Sequence, residues 1–261
     1  MENRQSLAPV LLALILCAFT SCTVVKEDRT ACPCTLYVHL NQVPAAGVSI
    51  DVSEAGTQDH LTTLYLTGGE GAPADTTLTV TVPKTGVRVM AVSGAQLEPD
   101  GRVLIPLGYD APPLYLFAAQ VPTPGDTAHV AVQLHKHYCL LTLSMEEPPG
   151  WGEPYWTEVR GRVSGIEKSG TPLEGDFRCR LDPGGSIRLP RQHPASELWL
   201  DIVMPRNVVR SFALGTYMLE ARYDWTAQDL EDLQLEIVLS VTHINLSTGN
   251  WNKTIPFPVE I

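Results

Sequence analysis

The stretch Cys34-Thr35-Leu36-Tyr37-Val38-His39-Leu40 alternates strictly, with Leu36, Val38 and Leu40 on one parity and Thr35, Tyr37 and His39 on the other. Successive side chains of a β-strand point to opposite faces. The pattern is therefore that of a strand with one face in a core and one in water. The same period recurs at Val48, Ile50 and Val52, at Leu78, Val80 and Val82, and at Val130, Val132 and Leu134. Val, Thr and Tyr fill these runs, as a pleated, half-buried surface favours. Breakers cut them apart: Gly68-Gly69, Pro83, Pro99-Asp100-Gly101, Pro112-Pro113 and Pro122-Thr123-Pro124-Gly125. Short strands at this spacing predict an all-β sandwich.

Downstream, a second unit starts near Lys136, where Cys139, Leu141, Leu143 and Met145 alternate. A loop rich in Pro, Gly and Trp follows over 146–156. Strands are expected over 157–164, 186–189 and 197–204, with the turn Asp182-Pro183-Gly184-Gly185 separating the first two. Leu233, Leu235, Ile237, Leu239 and Val241 form a long strand, and Ile255, Phe257, Val259 and Ile261 the last one. Pro256 and Pro258 fall on the opposite parity and cannot donate to a ladder, which suits an edge strand, either fixed or exchangeable. One stretch reads as a helix of two turns at most, Thr226 to Leu233, opened by a Thr-x-x-Asp cap signal.

Upstream of the first strand the chain changes character. Leu7 to Phe19 is apolar and follows a short polar start containing Arg4. A stable membrane span takes about 20 apolar residues, so this run suits the core of an export signal. It closes on Phe19-Thr20-Ser21-Cys22, which resembles the lipobox of bacterial lipoproteins. That resemblance implies cleavage before Cys22 and acylation at it, with more than one acyl chain giving durable anchoring. Lys26, Glu27 and Asp28 resemble the surface-export signal of Bacteroidota lipoproteins, and also suit a solvated linker. Asp75-Thr76-Thr77 and Asp126-Thr127-Ala128 fit the O-glycosylation pattern of that phylum at Thr76 and Thr127, and fit unmodified loop threonines equally. The expected organisation is a signal over 1–21, a lipidated tether over 22–34, and sandwich domains over 35–135 and 136–261.

The formal net charge is −11. Phosphate backbones demand a basic surface, so nucleic acid is excluded as a partner. Of the six cysteines, Cys17 leaves with the signal and Cys22 takes lipid. Cys32, Cys34, Cys139 and Cys179 remain, an even number in an exported chain, which permits disulfides. Cys32-Pro33-Cys34 is too tight to bridge itself. If all four pair, Cys32 and Cys34 each reach Cys139 or Cys179, in either connectivity. Cys139 also reads as a small buried apolar residue.

His135-Lys136-His137-Tyr138-Cys139 is the one ligand-rich cluster. On a strand His135, His137 and Cys139 share a face and could present three zinc ligands. Leu141 and Leu143 continue that face into a core, so the expectation is no metal and no cofactor. The sequence holds no G-x-S-x-G elbow, no H-E-x-x-H pair and no phosphate-cradling loop before a helix, so no enzyme is expected. Trp151, Tyr155 and Trp156 crowd a loop with Pro148, Pro149 and Pro154. Such a loop stacks on sugars or docks a partner, or else folds beneath a sandwich edge.

The C-terminal third carries Phe212-Ala213-Leu214-Gly215-Thr216-Tyr217, then Tyr223-Asp224-Trp225, then Asp229-Leu230-Glu231-Asp232 and a strand region closing at Trp251. With Cys22, Arg29 and Cys32-Pro33-Cys34 leading into the first strand, this layout resembles the FimB-type fimbrial anchor lipoproteins of Bacteroidota. The resemblance implies two tandem transthyretin-like β-sandwich domains with Greek-key-like topology. It implies a base subunit of donor-strand fimbriae, held in the outer membrane by lipid at the cell surface, with a shaft subunit as partner by strand exchange. In such fibres an extended strand from a neighbour fills a subunit's groove. A shaft or tip subunit, or an adhesin that binds a glycan or host protein, is the alternative.

Overall fold

The computed structural model describes residues 32–57, 59–69, 75–147, 154–194, 197–204, 208–238, 243–248 and 251–256. The first half runs through β1 (Cys34–Leu40), β2 (Val48–Glu54), β3 (His60–Leu66), β4 (Thr76–Val82), β5 (Val87–Ser93), β6 (Val103–Leu104), β7 (Tyr115–Val121), β8 (Thr127–Val132) and β9 (His135–Lys136). The second half holds β10 (Tyr138–Glu146), β11 (Trp156–Ile166), β12 (Pro172–Leu181), β13 (Ser186–Pro190), β14 (Leu198–Met204) and β15 (Val208–Phe212). A helix, α1 (Leu214–Glu220), precedes β16 (Leu233–Val238), β17 (His243–Thr248) and β18 (Trp251–Pro256).

In the first sandwich β1 is the middle strand of a sheet ordered β4-β1-β8. It pairs antiparallel with β4, from Cys34↔Val82 to Leu40↔Thr76, and parallel with β8, from Thr35↔Thr127 to Leu40↔Val132. The inward parity read from the sequence puts Leu36, Val38 and Leu40 against Ile50 and Val52 of β2 and Val89 of β5. Those strands belong to the facing sheet, β3-β2-β5-β7-β9. Each fully buried Leu or Val contributes about 1.5–3 kcal/mol.

The second sandwich repeats this plan. β10 takes the place of β1, antiparallel to β13 and parallel to β16. Its sheet extends outward to β13-β10-β16-β17-β18, and the facing sheet runs β12-β11-β14-β15. Cys139, Leu141 and Leu143 of β10 pack with Val159, Cys179, Leu200, Leu233 and Leu235.

The two sandwiches share a third core. β5 is buried on both faces: Val89 and Ala91 face the first core, while Met90 and Val92 turn outward. There they meet Leu116 of β7, Val103 of β6 and Ile166 of β11. β6 leaves its own half of the chain to pair with β11 at Gly165↔Leu104 and Ile166↔Val103. Gly165 permits that approach, since a Cβ there would lie 2.1 Å from the Val103 carbonyl oxygen. Ile105 and Ala111 continue into the second core. Ile166→Val should therefore cost about 1 kcal/mol. Urea unfolding should show both sandwiches losing stability together; a shift confined to one would mean that this contact does not couple them.

The expected helix over 226–233 is corrected. Its residues form a turn and an irregular stretch leading into β16, and the Thr226 N–H and hydroxyl both donate back to Asp224 Oδ1, at 2.8 and 2.6 Å. Among the described residues the helix is α1, whose Leu214 and Met218 are one turn apart and both buried.

Candidate functional site

β1 stands where the expected tether enters the folded body. Its entrance is pinned by Lys84, whose Nζ lies 2.7 Å from Asp126 Oδ1, while the Thr35 N–H donates to the Asp126 carbonyl at 2.8 Å. Cys34 is buried at the head of the strand and Cys32 is exposed. Thr76 and Thr127 open β4 and β8, half-buried and exposed respectively. Cys22, Lys26, Glu27 and Asp28 lie outside the described residues.

Cys32, Cys34, Cys139 and Cys179 are unpaired in this structure. Cys34 belongs to the first core and Cys139 and Cys179 to the second. Strand parity turns these three inward as small apolar groups. Burial pushes the Cys139 thiol up to about 12 and the Cys179 thiol up to about 11, which removes the reactive thiolate.

The two motifs singled out in the sequence, His135–Cys139 and Tyr223–Asp232, meet at the junction of the sandwiches. The strand breaks at His137, whose N–H donates to the Leu114 carbonyl at 2.9 Å; His135 and His137 line one shallow cleft, while Cys139 is buried in the second core. His135 Nδ1 lies 3.1 Å from Asp229 Oδ2, and the Lys136 N–H donates to Asp229 Oδ1 at 2.7 Å. Lys136 Nζ donates to Asp232 Oδ1 at 2.5 Å, and the Leu140 N–H donates to the same oxygen at 2.8 Å. The Lys136 N–H, foremost, holds the Asp229 carboxyl below the usual carboxylate range. Tyr223 and Trp225 stack edge to face at 4.8 Å, and the Tyr223 hydroxyl donates to the Glu231 carbonyl at 2.6 Å.

Arg191 is the centre of this junction, and sequence reasoning missed it. It is 8% exposed, and each of its five N–H groups has an acceptor. Nη1 donates to the carbonyls of Trp225 and Ala227 at 2.6 and 2.7 Å, and Nη2 to those of Gln228 and Lys136 at 2.9 and 3.4 Å. Nε donates to His137 Nδ1 at 3.2 Å. Burial pulls its guanidinium down from the ordinary value. A signal was available: Arg191 continues the parity of Ile187 and Leu189, the inward residues of β13, one residue past its end. Among the described residues, no group of three or more His, Cys, Asp or Glu converges to hold a metal.

Of the aromatic loop, Trp151 lies outside the described residues. Tyr155 packs against the second core and donates to Glu147 Oε1 at 2.9 Å, and Trp156 is 39% exposed at the start of β11. A separate cleft of about 420 Å³ lies on the outer face of β11, β12 and β14, lined by Leu107, Arg160, Arg162, Arg178 and Trp199 among others. Arg160 sits 5.1 Å over the Trp199 ring and 2.7 Å from Asp201 Oδ2. No helix among the described residues is long and apolar enough to cross a membrane.

No family model and no curated protein matches the sequence. Solved structures match the fold. A candidate polysaccharide-binding protein from Bacteroides thetaiotaomicron superposes with a TM-score of 0.63 at 13% identity, over 85% of this chain and 98% of that one. A candidate adhesin from the same organism gives 0.61 at 11% identity, over 86% and 97%. The fimbrial anchor protein Mfa2 from Porphyromonas gingivalis gives 0.60 at 13% identity, over 85% and 99%. The chain thus shares the β-sandwich fold of these surface and fimbrial proteins over most of its length.

Proposed function

We propose that this chain is the base subunit of a strand-exchange fimbria, lipidated at Cys22, held in the outer membrane and displayed at the cell surface. It has no enzymatic role in this reading, and its two domains divide between residues 135 and 136. The observation that carries the proposal is the position of β1. The strand that follows the tether is the central, doubly paired strand of the first sandwich. A groove filled by the chain's own strand cannot take a neighbour's, so growth stops at this end. The other end is open to strand addition, because among the described residues β18 is the outer strand of its sheet. The fold likeness to an anchor protein supports the same assignment.

The test is Cys22→Ala in cells that make the intact fimbria, with fibres counted by electron microscopy on cells and in the medium. Fibres should be shed or grow abnormally long. Unchanged cell-bound fibres would remove the anchor role. A second reading, capture of a glycan, is favoured by the cleft in which Trp199 lies among Arg160, Arg162 and Arg178 and their acidic partners Asp176 and Glu197, and by the candidate polysaccharide-binding protein of like fold. Glycan-array binding that is lost in Trp199→Ala, beside fibres unaffected by Cys22→Ala, would establish it instead.

A further inference from the structure

The outward face of β4-β1-β8 is chemically unusual for a chain of net charge −11. Its outward positions are Thr77, Thr79 and Thr81 on β4, Thr35, Tyr37 and His39 on β1, and Thr127, His129 and Ala131 on β8, with no acid or base of fixed charge. Two imidazoles meet at its centre. His39 Nε2 lies 3.0 Å from His129 Nδ1, and the rings are coplanar with centroids 5.3 Å apart. His39 Nδ1 lies 3.0 Å from Thr77 Oγ1, and Tyr37 stacks on the other ring at 4.9 Å. The two histidines are 90 positions apart in sequence and meet only because β8 runs parallel beside β1.

The geometry points to a two-imidazole site for a divalent transition-metal ion of the zinc, nickel or copper kind, bridging β1 to β8. A tetrahedral ion with metal–nitrogen bonds of about 2.0–2.1 Å sets its two ligand nitrogens about 3.3 Å apart. The observed 3.0 Å needs only a small opening and a turn of the rings about their side-chain bonds. The protonation states allow it. With the His39 Nδ1–H donating to Thr77, its Nε2 carries a lone pair and accepts from the His129 Nδ1–H. Binding moves that one proton to His129 Nε2, so both facing nitrogens become ligands with no net proton released. Thr77 then orients the His39 ring from behind, as outer-shell partners of metal-bound imidazoles do. Water fills the remaining positions, and the negative net charge of the chain favours a cation. The consequence falls on β1, which becomes tied to β8 by side chains as well as by its ladder.

Calorimetric titration of the untagged full chain in detergent with ZnCl2, NiCl2 and CuCl2 tests this. One ion per chain is expected. His39→Ala and His129→Ala should each weaken binding roughly 100-fold, because the second imidazole is supplied at high effective concentration. Thr77→Val should weaken it about tenfold while leaving both ligands in place. The thermal midpoint should rise with metal in the parent and not in the histidine variants. For Cu2+, electron paramagnetic resonance should report two imidazole nitrogens in the parent and fewer in each single variant. Binding that survives both single substitutions unchanged, or none below millimolar metal, overturns the site.

Discussion

Replacing Arg191 by Met should lower the stability of the second sandwich by about 3–5 kcal/mol, the range seen when one partner of a buried charged network is removed. Methionine fills much of the same space, so the loss is polar in origin. Four backbone carbonyls and the His137 ring nitrogen lose the donor they share. A buried acceptor left without a partner costs about 1–3 kcal/mol, and water entering the loop recovers part of the total. Arg191→Lys should restore only a fraction, because an ammonium has three donors on one atom and cannot reach five acceptors spread around a planar fork. Urea unfolding followed by tryptophan fluorescence is a direct measurement, since Trp225 is buried in the loop that Arg191 holds. A loss below 1 kcal/mol in the Met variant would mean that Tyr223–Asp232 is held by its apolar contacts and that Arg191 is a passenger.

The readable and unreadable parts of this molecule divide along one line. Strand parity is local, so Leu36, Val38 and Leu40, and again Cys139, Leu141 and Leu143, reach their cores as their alternation requires. Pairing is not local. Nothing in the alternation says that β1 lies between β4 and β8, or that β10 plays the same part between β13 and β16. Any run of Val, Leu and Thr satisfies the pattern, which is why the repeated plan leaves no visible repeat in the sequence. The misplaced helix has a related cause. Asp229 and Asp232 look like helix-opening acids, but their oxygens are taken by Lys136 and Leu140, over 90 positions away. Local propensity lost to partners supplied by the other end of the fold. The candidate site shows the same division: His135–Cys139 and Tyr223–Trp225 stood out as motifs, while Arg191, which joins them, was marked only by its inward parity.

Acid should loosen this junction well before it protonates most carboxylates. Burial, with Arg191 adding to it, pulls the His137 imidazole down to about 3. Its nitrogen Nδ1 already accepts from Arg191 Nε–H, so a proton there would break a hydrogen bond and set two cations together. In the unfolded chain the same ring titrates at about 6.5. Above that value both states are neutral and this group contributes no slope. Below it the unfolded state binds a proton that the folded state refuses, so stability falls with pH until the folded value near 3. The expected loss attributable to His137 is about 2 kcal/mol between pH 7 and pH 5. Asp229 acts in the same direction but lower, because a depressed carboxyl loses its contribution only below its unfolded value of about 3.9. His137→Gln separates the two, since an amide oxygen can still accept from Arg191 but does not titrate. Chemical unfolding of parent and variant at pH 7, 6 and 5 should show curves that separate as pH falls, with the parent losing more on acidification. Parallel pH profiles would mean that water reaches the ring, and that the junction tolerates a protonated His137 beside Arg191.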